Sequence, residues 1–253
     1  MKLKITCMEC VKETGETPPD IQSVELRDDG LYSFTCPKGH TTLTVLQNQK
    51  FEILFDFGLM ALVDGYTREA ITNFASSLER FYEFYVFTTC LKHRMDIKDF
   101  QSVWRHVANQ SERQFGAYLF LYQIDHVGEI APLIDNEKPH LEGVSKTKTK
   151  TWKEFRNSVV HKGYIPSSAE TIAYGNLVYQ HINSLTVDLK SRSSTALDRA
   201  TVHHLSRGNG ITERMLTSVT SVSTILNVRR PAEPPETLSE AIEGVTEYSR
   251  WLR

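Results

Sequence analysis

The chain has 253 residues, of which 40% are hydrophobic and 24% charged, so its composition is that of a globular protein with a sizeable core rather than a disordered chain. Its formal net charge of −2 excludes binding to nucleic acid through overall charge and leaves only local basic clusters for such a contact. Its first residues lack the apolar region of a signal peptide, and the apolar stretch 51–63 is too short to span a bilayer, so a cytoplasmic protein without membrane contact is expected.

Residues 1–47 carry the pattern of a small β module. β-Branched and aromatic residues gather in short runs, and proline, aspartate and glycine residues that favour turns separate these runs. The runs predict strands at 3–5, 22–26, 31–34 and 42–46. A module of this size buries little apolar surface and needs a further source of stability.

Two pairs of potential metal ligands lie in this module, Cys7-x-x-Cys10 and Cys36-x-x-x-His40. Three thiolates and one imidazole make a closed tetrahedral shell for Zn²⁺, which predicts a structural metal in a zinc ribbon and leaves no open position for catalysis. The alternative is a small sheet with unliganded cysteines. The fourth cysteine, Cys90, lies in an apolar helical stretch and is expected in the core.

From residue 48 the apolar residues recur at helical spacing. Helices are predicted over 49–63, 67–91, 98–108 and 112–127. In the second of these, apolar residues from Ile71 to Tyr85 recur every three or four positions and are expected to face a core. The polar stretch 135–150 contains several lysines and is expected to be a loop.

Two capping boxes follow that stretch. Thr151-x-x-Glu154 opens a helix that should end at Gly163, and Ser167-x-x-Glu170 opens one that runs to about residue 189. Less regular patterns predict further helices at about 211–227 and 237–251. The expected fold is therefore mainly α, with three regions: a small β zinc-ribbon module at 1–47, a helical bundle at 48–190 and a helical extension at 191–253.

The helix opened by Thr151 carries apolar and polar residues on different sides. At about 100° per residue, one face is formed by Trp152, Phe155 and Val159. The remaining arc holds Arg156, Asn157 and His161. These residue types suit RNA cleavage, because histidine can move a proton at the ribose 2′-OH or the 5′-oxygen while arginine holds the phosphate oxygens. The alternative is a capped helix end with an arginine in a salt bridge.

Arg156-Asn157-x-x-x-His161 resembles the R-(N/H/D)-x-x-x-H signature of the HEPN superfamily (higher eukaryotes and prokaryotes nucleotide-binding). The residues around it, 155–166, are similar to those of many bacterial members, and the upstream helix at 69–83 looks like the first long helix of the family. The resemblance covers roughly residues 49–190. It implies a HEPN-like helical bundle that forms a homodimer, in which the motif helices of two chains meet and build one composite site.

The resemblance further implies a metal-independent endoribonuclease that cuts RNA, of a kind common in toxin–antitoxin and phage-defence systems. Arg156 and His161 would be catalytic and Asn157 would be a polar support, with an antitoxin or defence protein as a possible partner. Some members carry a modified tyrosine two residues after the histidine. Here Gly163 occupies that position and Tyr164 follows it, so the same mode of neutralisation is not expected.

Further residues near the motif are candidates for contacts to RNA: Lys153, Lys162, Tyr164 and Glu79. The lysines and the glutamate have a simpler interpretation, because a loop lysine, a lysine at a helix end or a glutamate beside a buried stripe is commonly just solvated. Two other functions stay open. One is a HEPN-like module that binds RNA, a nucleotide or a protein without cutting, and the other is a zinc-ribbon sensor of nucleic acid whose helical part only dimerises.

Overall fold

The structure, a computed structural model, describes residues 2–16, 21–134, 151–208, 216–229 and 237–244. It divides into two compact units, each formed by two separate parts of the chain. The strand unit comprises 1–49 and 198–223, and the helix unit comprises 50–197 and 224–253. The predicted boundary at residue 47 lies close to the structural one, whereas the predicted extension 191–253 is divided between the units rather than forming a third.

The strand unit contains two small sheets. In the first, β1 (Lys2–Ile5) pairs antiparallel with β2 (Gln22–Glu25), and helix α1 (Met8–Thr14) lies between them in sequence. In the second, β3 (Leu31–Thr35) and β4 (Thr41–Leu46) form an antiparallel hairpin. The four strands predicted before residue 47 are confirmed. The sequence pattern did not indicate α1, because its seven residues are too few for helical periodicity to show.

The second sheet is completed by β5 (Leu216–Thr220), which pairs in parallel with β4. The helix predicted at about 211–227 is therefore wrong over these residues. The residues Leu216, Val219 and Val222 are spaced by three positions, which suits a helix. The same stretch is rich in threonine and valine, and these β-branched residues favour a strand. Asn48 fixes the chain just after β5, since its side chain accepts a hydrogen bond from the Val222 N–H at 2.9 Å and donates to the Val222 carbonyl at 3.1 Å.

The helix unit confirms the predicted helices up to residue 127. These are α2 (Lys50–Val63), α3 (Thr67–Lys92), α4 (Ile97–Trp104) and α5 (Ser111–Asp125). Within the described residues, none of the helices combines the length and the apolar character that crossing a bilayer requires. The predicted loop at 135–150 lies outside the described residues.

Both predicted N-caps form, and at Ser167 the full capping box is present; each opens the predicted helix. The Thr151 hydroxyl accepts the Glu154 N–H at 3.2 Å at the start of α6 (Trp152–Lys162). The Ser167 hydroxyl accepts the Glu170 N–H at 3.2 Å, and the Glu170 carboxylate accepts the Ser167 N–H at 2.8 Å, at the start of α7 (Ser168–Leu205). Helix α7 passes its expected end near residue 189 and has non-helical backbone at Ser193. The last predicted helix is present at 238–244, and its remainder lies outside the described residues.

Phe74 of α3 is fully buried in the core of the helix unit. A Cβ atom placed on Gly58 of α2 would lie 2.5 Å from the Phe74 ring, and one placed on Gly175 of α7 would lie 2.8 Å from it. Both distances are shorter than real carbon contacts. The two glycines therefore allow α2 and α7 to approach the same aromatic ring of α3.

Candidate functional site

The strand unit brings the two predicted ligand pairs together. Cys7 precedes α1 and Cys10 lies in its first turn. Cys36 and His40 flank the turn between β3 and β4, where the Cys36 N–H donates to the His40 carbonyl at 2.9 Å and Gly39 has a φ of +86°. A positive φ favours glycine, so the sequence of this turn fits its backbone.

The spacing of the four ligand atoms fits one tetrahedral ion. Cys10 Sγ lies 3.8 Å from Cys36 Sγ, and His40 Nδ1 lies 3.4 Å from Cys10 Sγ and 3.8 Å from Cys7 Sγ. Metal–ligand lengths of about 2.3 Å for sulfur and 2.0–2.1 Å for nitrogen place tetrahedral ligands about 3.8 Å apart for two sulfurs and about 3.6 Å apart for sulfur and nitrogen. All four atoms lie within 4.8 Å of one another, so these residues are close enough to hold a metal ion.

The thiols of this cluster influence each other's ionisation. Burial, together with hydrogen bonds to the Cys7 and Cys36 sulfurs, raises the pKa of Cys10 to about 12. Burial also opposes ionisation of Cys36, but hydrogen bonds from the backbone N–H groups of His40 and Lys38 lower the pKa of this thiol to about 7. Thiols this close together repel one another when charged, and a bound cation removes that obstacle.

Helix α6 carries the other predicted site and is held by its apolar face. Trp152, Phe155 and Val159 are buried, as predicted, and the Trp152 and Phe155 rings meet edge to face with centroids 5.4 Å apart. The helix ends at Gly163, which has a φ of +73°, and the Tyr164 N–H donates back to the Ser158 carbonyl at 3.0 Å. This packing fixes which side of α6 is available for polar chemistry.

The side chain of Arg156 on α6 contacts α3. Its Nη1 is 3.6 Å from Oε1 of Glu79, and its Nε donates to Oδ1 of Asn157 at 3.3 Å. The Arg156 side chain is only 15% exposed and that of Glu79 33%. Three of the predicted site residues are therefore close together, and Glu79 is part of an ion pair instead of a solvated helix face.

Arg68 of α3 is a further contact to α6 that sequence reasoning missed. Its Nε donates to the Val159 carbonyl at 3.2 Å and its Nη2 to the Val160 carbonyl at 3.5 Å. These carbonyls belong to the last turn of α6, where the helix leaves its acceptors without internal partners. A contact to backbone far along the chain leaves no residue signature, so nothing in the sequence identified it.

The other predicted residues lie toward solvent. His161, Lys153 and Lys162 are exposed on α6. Tyr164 is partly exposed, and its hydroxyl donates to Oε1 of Glu170 at 2.9 Å. Burial and this hydrogen bond raise the pKa of the Tyr164 hydroxyl, which makes it a donor rather than a base.

Comparison of the chain with protein-family models, with curated proteins and with solved structures finds no match. The resemblance to the HEPN superfamily therefore depends on the motif, the residues around it and the upstream helix in the sequence, and stays a prediction. What the geometry adds is the fixed position of Arg156 beside Glu79 and Asn157, with His161 exposed on the same helix.

Proposed function

We propose that this protein is a metal-independent endoribonuclease of the HEPN type, which cuts RNA at a composite site between two copies of the chain. The observation that carries the proposal is the position of Arg156, which is largely buried, contacts Glu79 and Asn157, and lies on the helix that also presents His161. These two contacts keep the guanidinium in one position, which a group that binds a reacting phosphate requires. A homodimer, a cytoplasmic role in phage defence or toxicity, and a restraining partner are part of the same proposal.

RNA cleavage needs a group that transfers protons and a group that binds the phosphate oxygens, and α6 carries a residue type for each. The ribose 2′-oxygen attacks the phosphorus while its proton leaves, the bond to the 5′-oxygen breaks, and that oxygen takes up a proton. An exposed imidazole such as His161 can accept the first proton or give the second. The Arg156 guanidinium has five N–H donors, so its contacts to Glu79 and Asn157 leave donors that can bind a phosphate oxygen.

The test is incubation of the purified protein with total cellular RNA, with the new RNA ends mapped. Arg156→Ala and His161→Ala should each slow cleavage by about 10²–10⁴-fold, the range for a lost acid, base or oxyanion contact. Arg105→Ala and His106→Ala are matched controls, because both residues are exposed near the end of α4. Equal cleavage by the parent and both α6 variants would exclude the proposed site.

The ion pair of Arg156 also favours a second candidate, a HEPN-like module that binds RNA, a nucleotide or a protein without cutting. An arginine paired with Glu79 stabilises the charge that develops on a reacting phosphate less strongly, while its remaining N–H donors can still hydrogen-bond a bound ligand. The two candidates differ in one measurement, since a binding module retains intact RNA at saturation and releases no new ends. Loss of RNA binding in Arg156→Ala, without cleavage by the parent, would support this second function.

We further propose that the metal held by the strand unit is Zn²⁺ in a structural role. Three thiolates and an imidazole are ligands that zinc prefers, and a four-ligand shell leaves no position for a substrate. Elemental analysis should find about one zinc per chain, lost in Cys7→Ser and retained in Cys90→Ser, whose thiol is buried elsewhere. A chelator that removes this zinc should not stop RNA cleavage at once.

A further inference from the structure

Helix α1 brings a carboxylate to the metal cluster as well as a thiol. Glu13 follows Cys10 by three positions, so both side chains lie on one side of the helix. Glu13 Oε1 is 3.3 Å from His40 Nε2, and Glu13 Oε2 is 3.3 Å from Lys38 Nζ. The carboxylate therefore joins the segment of the first ligand pair to the turn of the second.

The contact to Glu13 determines which nitrogen of His40 faces the thiols. At this ion-pair distance a carboxylate oxygen, which only accepts hydrogen bonds, favours the form of the His40 ring that carries its hydrogen on Nε2. A neutral ring then has its lone pair on Nδ1, the atom 3.4 Å from Cys10 Sγ and 3.8 Å from Cys7 Sγ. This is the form of the imidazole that can bind a metal, already turned toward the other ligands.

We infer that Glu13 is a positioning residue of the metal site: it fixes His40 as an Nδ1 ligand and raises the affinity for the ion. The inference rests on the proposed zinc site. Carboxylates that accept from the far nitrogen of a ligating histidine contribute about 10–100-fold in metal affinity. The Glu13 side chain is 48% exposed and that of His40 28%, so water competes for the contact and the lower end, about 10-fold, is expected.

The first experiment measures zinc affinity of the full-length protein by competition with a chromophoric chelator at constant pH. Glu13→Ala should weaken binding about 10-fold. Glu13→Gln should recover most of the loss, because an amide oxygen still accepts from Nε2–H. Glu9→Ala is the matched control, since Glu9 lies on the same helix in an exposed pair with Lys12 at 3.8 Å and should leave the affinity unchanged.

The second experiment identifies the ligating nitrogen by long-range ¹H–¹⁵N NMR of the zinc-loaded protein. Parent protein should show His40 with hydrogen on Nε2 and metal on Nδ1. Metal on Nε2, or the same affinity in Glu13→Ala as in the parent, would overturn the role of Glu13 and leave the zinc site standing. A parent protein that binds no zinc would remove the site itself, and the role of Glu13 with it.

Discussion

Acidification should destabilise the helix unit through His181. This residue of α7 is almost fully buried, and its Nε2 lies 3.0 Å from the Tyr82 hydroxyl of α3. Burial disfavours the charged imidazolium and lowers the pKa of His181 from its ordinary value of 6.5 to about 4. The ring is therefore neutral in the folded protein at pH values where it is already protonated in the unfolded chain.

The size of the effect follows from that difference in pKa. The pKa of His181 is about 2.5 units lower in the folded protein than its ordinary value of 6.5. At 1.36 kcal/mol per unit, this difference corresponds to about 3 kcal/mol of unfolding free energy. The unfolded state binds a proton that the folded state does not. The contribution of His181 to the unfolding free energy is therefore fully present above pH 6.5 and decreases as the pH falls toward 4. Below that pH both states are protonated, and His181 causes no further loss.

Urea unfolding monitored by tryptophan fluorescence at pH 7 and pH 4.5 measures this loss. Trp104 and Trp152 both belong to the helix unit. His181→Gln retains a group that can bond to Tyr82 but does not titrate, so its stability should fall by about 2–3 kcal/mol less than that of the parent over this interval. The exposed His106→Gln is the control. Parallel losses in parent and His181→Gln would show that His181 does not cause the acid sensitivity.

Three other outcomes are expected. Gly58→Ala should lower the unfolding free energy by about 1–3 kcal/mol, because its new methyl group meets the Phe74 ring, whereas Gly116→Ala, with no atom within 4 Å, should be neutral or stabilising in the same urea assay. Glu79→Gln should reduce RNA cleavage by less than Arg156→Ala, since the amide still contacts the guanidinium but carries no charge. The melting temperature should stay within a few degrees of that of the parent. Unchanged cleavage would show that Glu79 has no role in the reaction. Removal of zinc should lower protection from amide exchange in the strand unit first, and uniform loss across both units would contradict a local metal role.

Local signals predicted most of the fold. The N-cap signals at Thr151 and Ser167 each extend over four residues, and in both the cap hydroxyl accepts the expected backbone N–H. Strand β5 depends instead on pairing with β4, about 170 positions earlier in the chain, which no local pattern reports. Tertiary pairing therefore decided the structure of residues 216–220, where helical spacing and β-branched residues disagreed.

The metal ligands and the α6 motif were visible for the same reason, since each is a short run of chemically distinctive residues. The residues that contact the ligands and the motif could not be identified in the same way. Glu79 was a candidate only because it borders a buried stripe, and Arg68 and Glu13 act through contacts that span 91 and 27 positions of the sequence. Residues that position a site are thus harder to find from sequence than residues that constitute it, because their signal is proximity and not type.

The parallel pairing of β4 with β5 has a consequence for synthesis on the ribosome. Residues 41–46 emerge early, but their partner at 216–220 emerges only after residues 50–197 of the other unit have been translated. During that interval one edge of β4 has no strand to pair with, and an open edge can join the same edge of another nascent chain. Products of premature termination before residue 216 keep that open edge, so they should aggregate instead of accumulating as a soluble metal-binding fragment.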